Sequence, residues 1–239
     1  MRRCSVGGAH YVGVMPKRRG HTYEQPRELA ALPYADHLEP FDGRLVGNGD
    51  YDTLLFDGQE FEDEDAGAAR FIESAFTSVT FVGGRFRRAR FTDVWLHTAR
   101  WVGADLTEST WADAEIITSA AAGTAMPGAE LNRVTFHRCK LDSVNFRAAE
   151  LREVVFVECT LRDVDFAGAT LTGVAFPGSA LERVRFDKAK MADVDLRGAT
   201  SLGLSDGYDA LRGATISGLQ LMELAPMFAH ILGVTVEDD

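Results

Sequence analysis

Every fifth residue of this chain, from Phe56 to Leu196, is apolar, and no insertion or deletion breaks the count. The column reads Phe56, Phe61, Ala66, Phe71, Phe76, Phe81, Phe86, Phe91, Leu96, Trp101, Leu106, Trp111, Ile116 and Ala121, and continues in the same step through Met126, Leu131 and Phe136. Of its twenty-nine members only Ala66 and Ala121 are not large. A period of five suits neither a helix, at about 3.6 residues per turn, nor a flat strand, at two. Two residues before each large side chain stands a small one, as in Val79, Ala89, Val94, Ala99, Ala104 and Ser109. One small and one large residue inward, with three polar positions outward, describe one short side of a coil that turns a corner every five residues. A repeat of this kind decides the fold before local propensity does.

Ala104-Asp105-Leu106-Thr107-Glu108 and Asp195-Leu196-Arg197-Gly198-Ala199 fit the motif A(D/N)LxX, and on them the chain resembles the pentapeptide-repeat family over about 145 residues. The resemblance implies an all-β solenoid, a right-handed four-sided β-helix with four pentapeptides to a coil. Twenty-nine positions then make about seven coils at roughly 4.8 Å spacing, a rod on the order of 35 Å long.

The residues support four sides independently. From Phe136 to Phe186 the large positions alternate Phe and Leu, which stacks Phe136, Phe156 and Phe176 on one side and Phe146, Phe166 and Phe186 on the opposite one. Large beside small keeps an interior dense. The expectation is a dry, full core with no room for a ligand.

The chain divides into an N-terminal extension (1–40), the repeat rod (41–216) and a C-terminal helical cap (217–239). The extension is expected to be loosely ordered. It carries a short basic run, Lys17-Arg18-Arg19, read as a solvated tail, and Met15 is an alternative start. It has no apolar core of signal-peptide length. A short helix is predicted from Glu28 to near Pro33. Phe41, Val46 and Tyr51 extend the register backwards, so a first coil or its cap begins near Phe41. At the other end the register lapses at Ser201 and Asp206, where Gly203 and Gly207 suggest a loop. Leu219, Met222, Phe228, Ile231 and Leu232 then have helical spacing behind Ser217 as N-cap, with Pro226 kinking or dividing the helix and Gly233 ending it. Val234-Thr235-Val236 could add a terminal strand. The helix reads as a lid on the last coil or as a dimer contact; the resemblance supports the latter, since family members dimerise through a C-terminal helix.

No catalytic, cofactor or metal site emerges. Cys139 and Cys159 lie twenty apart in the small column and read as core filler rather than a disulfide; Cys4 stands apart. His137 and Cys139 have opposite orientations, and no CxxC or HExxH spacing occurs. Gly83-Gly84, Gly168, Gly173 and Gly178 fall at corners rather than in a nucleotide-binding loop. The formal net charge of −11 disfavours direct nucleic-acid binding. No apolar run is long enough to span a membrane, and a cytoplasmic location is expected.

Function is therefore sought on the surface. One side presents Ala75, Thr77, Trp95, His97, Glu115, Ile117, Thr135, His137, Val155, Val157, Ala175 and Pro177, with a single charge among the twelve. Trp95, Ile117, Val155, Val157 and Pro177 mark a candidate face for a protein partner or a second copy of the chain, unless the N-terminal segment folds back over it. The reading is a non-enzymatic, rigid interaction scaffold. The alternative comes from the resemblance: some bacterial members mimic DNA, bind DNA gyrase and lessen quinolone damage. Arg85, Arg87, Arg88 and Arg90, and Arg133, Arg138 and Lys140, interrupt the continuous negative potential that a phosphate mimic needs.

Overall fold

The computed structural model describes residues 25–237, which form a four-sided parallel β-solenoid closed at one end by a single helix. Three sides are sheets of seven, eight and eight strands, most only three residues long. The fourth is a ladder of single bridges, Asp65–Arg85–Asp105–Ala125–Asn145–Asp165–Arg185. Neighbouring strands pair in parallel twenty residues apart, as Phe76 does with Leu96 and Ile116 with Phe136. Two eight-stranded sheets make eight coils where the inward register leads one to expect seven.

The inward columns account for the core. Phe136, Phe156 and Phe176 stack at 4.8 and 5.1 Å, and Phe146, Phe166 and Phe186 at 5.2 and 5.3 Å. The earlier coils are filled by Phe71 on Phe91 and Phe91 on Trp111, at 4.8 and 3.9 Å. The corners fall two residues after each large side chain, and they carry positive φ even where the residue is not glycine, as at Thr53, Glu73, Asp93, Asp113, Arg133 and Glu153. A left-handed residue costs on the order of 1 kcal/mol or more. Each corner holds because its amide donates to the next coil, as Asp113 N–H does to the Asn132 carbonyl at 3.1 Å.

The ends depart from the expected pattern. Leu45, not Val46, is buried at the entry, because the Gly47–Asn48 turn shifts the chain by one residue and Tyr51 Oη accepts the Val46 amide. Phe41 covers the first coil, packed on Phe56 at 4.5 Å. Beyond Leu196 the predicted loop is instead a strand, Ser201–Asp206, which pairs with Ala180–Arg185 with register shifts on either side of Val184. The only α-helix among the described residues, α1 (Gly218–Ile231), contains Pro226 without being divided by it. Ser217 and Gln220 form a reciprocal capping box at its start. Val234–Val236 joins no strand.

The core is not full everywhere. Ala66 is wholly buried, but at Ala121 the missing large side chain leaves an apolar void of about 40 Å³. The neighbouring side chains are held by their own coils and cannot close over it.

Candidate interaction surfaces

Residues 25–41 do not trail away from the rod. They form a strap along its least charged side, beginning where Glu39–Pro40 pairs with Leu54–Leu55 beside the first coil. Instead of the predicted helix the strap makes two single 3₁₀ turns, Leu29–Ala31 and Ala35–His37. Pro33 keeps Leu32 extended between them. Leu32 and Tyr34 bury themselves against Ala75, Trp95 and Ile117, with Leu29, Ala35 and Leu38 at the edges. Burial pushes the Tyr34 hydroxyl well above the ordinary tyrosine range.

The far end of the strap is pinned by charge. Glu115, the one charged residue among the twelve outward positions from Ala75 to Pro177, is buried; it accepts Arg27 N–H at 2.8 Å and Arg27 Nε–H at 2.7 Å. The Trp95 indole donates to the Arg27 carbonyl at 3.1 Å, while its ring stacks on His97. On the other side of Glu115, His137 Nε2 lies 3.8 Å from Oε1. Burial pushes the His137 imidazole pKa below its ordinary value, and Arg138 adds to this, against the opposing pull of Glu115.

Of the two sequence readings of the face, the strap agrees with the one in which the N-terminal segment folds back over it. Trp95 and Ile117 are covered by the strap rather than exposed, because their apolar surface is satisfied within the chain. Val155, Val157 and Pro177, further along the same side, are half-buried. The Lys17–Arg19 run, Cys4 and Met15 lie outside the described residues. Trp95 and Ile117 carried the only signal for the strap: large apolar groups at outward positions.

The helix end has the opposite character. Gln220 and Leu224 turn inward, and Gln220 Nε2 donates to the Leu196 carbonyl at 2.8 Å. Leu219, Met222 and Leu232 are 64, 67 and 77% exposed, Ile231 is also exposed, and Phe228 is half-buried. The lid is thus made by two residues that the apolar spacing did not single out. Most of the predicted apolar stripe faces outward.

Elsewhere the surface charges pair between coils. Arg70 meets Asp50 at 2.6 Å, Arg85 meets Asp65 at 2.9 Å, Arg88 meets Glu108 at 2.8 Å and Arg133 meets Asp113 at 2.6 Å. The Arg133 guanidinium holds the Asp113 carboxyl below the usual carboxylate range. Such exposed pairs stabilise little, but they interleave the two signs along the rod. Cys139 and Cys159 are buried free thiols; the Cys139 side chain and burial push the Cys159 thiol up, against the opposing pull of the Cys139 N–H, which donates to Cys159 Sγ at 3.3 Å. Among the described residues no group of three potential ligands could hold a metal ion, and no helix is long and apolar enough to cross a membrane.

A family model described as a pentapeptide repeat region matches residues 129–205. No curated protein matches the chain. Among solved structures it is similar to HetL, a pentapeptide-repeat protein involved in heterocyst differentiation regulation from the cyanobacterium Nostoc, at 18% identity over 72% of this chain and 84% of that one, with a TM-score of 0.32. It is also similar to QnrB1, a plasmid-mediated fluoroquinolone resistance protein, at 15% identity over 83% and 99% of the two chains, TM-score 0.36. Rfr23 from the cyanobacterium Cyanothece matches at 12% identity over 65% and 88%, TM-score 0.25. The register and strand pairing of the matched stretch run without a break through the coils that precede it. The chain thus carries a pentapeptide repeat region at residues 129–205, within a solenoid of the same register.

Proposed function

We propose that this protein is a non-enzymatic scaffold that pairs with a second copy of itself through the outer face of α1. The observation that carries this is the concentration of large exposed apolar side chains at one end: Leu219, Leu221, Met222, Ile231, Leu232, Val234 and Val236. Elsewhere among the described residues, exposed large apolar groups are scattered, at Val46 and Val102. Large exposed apolar side chains gathered at one end in this way favour association, whereas single exposed ones are ordinary. The rod would then present its paired-charge sides on either flank of a two-fold axis.

Light scattering tests this directly. The expected mass is about twice the 26.1 kDa of the chain, falling to the single-chain value in a Met222→Glu, Leu232→Glu double variant. A single-chain mass at every concentration would refute the reading.

The gyrase-binding alternative is not adopted. A protein standing in for duplex DNA needs an unbroken acidic surface, but Arg85, Arg88 and Arg133 neutralise Asp65, Glu108 and Asp113 along the rod. Supercoiling by gyrase is expected to proceed unchanged with the protein titrated in; inhibition would restore that alternative.

A further inference from the structure

The void at Ala121 has the properties of a site. Trp101 stacks on Phe81 at 3.9 Å on one face of its indole. In the next coil its strand partner is Ala121, and the coil after that supplies Leu141. The indole therefore looks across a gap one side chain deep, closed laterally by Trp111, Ile116 and Met126. The polar groups at its edge are already engaged with the backbone. Ser119 Oγ donates to the Ile117 carbonyl and accepts the Ala99 amide, each at 2.9 Å. Thr124 Oγ1 donates to the Trp101 carbonyl, and Cys139 Sγ to that of Ile116.

A water molecule needs two to four polar partners to occupy a cavity, and apolar voids without them stay dry and take up xenon or small hydrocarbons. The gap is also reachable. Ala121 is half-buried, and its neighbours Ala122 and Lys140 are exposed.

We propose that this notch binds one small apolar group, from xenon to a branched alkyl in size, uncharged and without hydrogen-bonding atoms. Shape and dispersion contact with the Trp101 face select it. A charged or hydroxylated ligand would lose its hydration and gain no partner.

Xenon is the probe, followed by ¹²⁹Xe NMR on the full chain. The expected result is a saturable shift with a Kd of about millimolar order, as befits so few contacting atoms. Ala121→Leu fills the gap with the chain's own side chain, abolishing the saturable shift and raising Tm. Ala121→Val weakens xenon binding without removing it, and decides the matter if the leucine variant does not fold. A shift that stays linear in xenon for the wild-type chain overturns the proposal. So does a saturable shift of the same size in the valine variant, which would place the xenon elsewhere.

Discussion

Replacing Glu115 by Gln would test whether the strap is held by its pin or only by its apolar contacts. The two side chains have the same shape, so no cavity confuses the result. The carboxylate now accepts two hydrogen bonds from Arg27. An amide can accept one and must turn its NH₂ toward the other donor. A hydrogen bond to a charged group contributes about 1.5–3 kcal/mol net. The Arg27 side chain is 45% exposed, so water recovers part of this, and about 1–2 kcal/mol is the expected loss. That corresponds to roughly 5–30-fold more frequent opening of the strap.

Hydrogen exchange reads this at named amides. Ala31, Leu32 and His37 donate within the strap to Glu28, Leu29 and Tyr34, while Glu39 and Phe41 tie it to Thr53 and Leu55. The first three should exchange faster in Glu115→Gln. Thr135 and Val155, whose amides donate to Ala114 and Val134 in the coil below, should not. Acrylamide should also begin to quench Trp95, which the strap now covers. Unchanged exchange in the strap would refute the pin. Equal acceleration at Thr135 would show that Glu115 supports the coil stack instead.

Two further outcomes follow from the buried groups. Because burial lowers the folded-state pKa of His137 below its ordinary 6.5, the unfolded chain binds the proton first. The stability contribution is intact above about pH 6.5 and is lost as pH falls through that value toward the folded pKa. Thermal melts should show this loss, reduced in His137→Gln; a slope unchanged by the substitution would assign it to other groups. Glu115→Gln removes the opposing pull and should lower the His137 pKa further. Phe156→Ala deletes the middle ring of a three-ring stack, with an expected cost of about 3–5 kcal/mol by denaturant titration; a cost below about 1 kcal/mol would mean that neighbouring coils collapse into the gap.

The rod was legible because each pentapeptide repeats the same physical demand: a small side chain, a large one, then a corner. Phe136, Phe156 and Phe176 could be stacked from numbering alone, and so could the corner glycines. What the period does not encode is any element outside it. Leu29, Leu32, Tyr34 and Leu38 follow no regular spacing, so their packing on Trp95 and Ile117 was visible only as an oddity of the opposite partner: apolar groups at positions that ought to face water. The pairing of Arg27 with Glu115, eighty-eight residues apart, leaves no trace in local pattern. Ala121 was visible as a break in the column. The gap stays open there because strand pairing on both sides fixes the backbone. At α1 the cap was legible in Ser217 and Gly233, but which side chains turn inward depended on where the helix meets Leu196.

These differences bear on how the protein can respond to a partner. In a stacked solenoid each coil contacts only its neighbours, so a local change dies out within a coil or two unless the whole stack shifts. The corner amides of this rod donate coil to coil from Thr53 to Asp163. Binding on one side therefore has little means of altering the other end. The strap and α1 lie outside that ladder. The strap joins the first coil at Glu39 and reaches Glu115 across the strands that carry Ala75 and Trp95, so lifting it would uncover apolar surface without breaking a coil-to-coil bond above the first coil. Helix α1 touches the stack through Gln220 and Leu224. A change at α1 and a lifting of the strap can thus proceed independently, with the rod setting the distance between them.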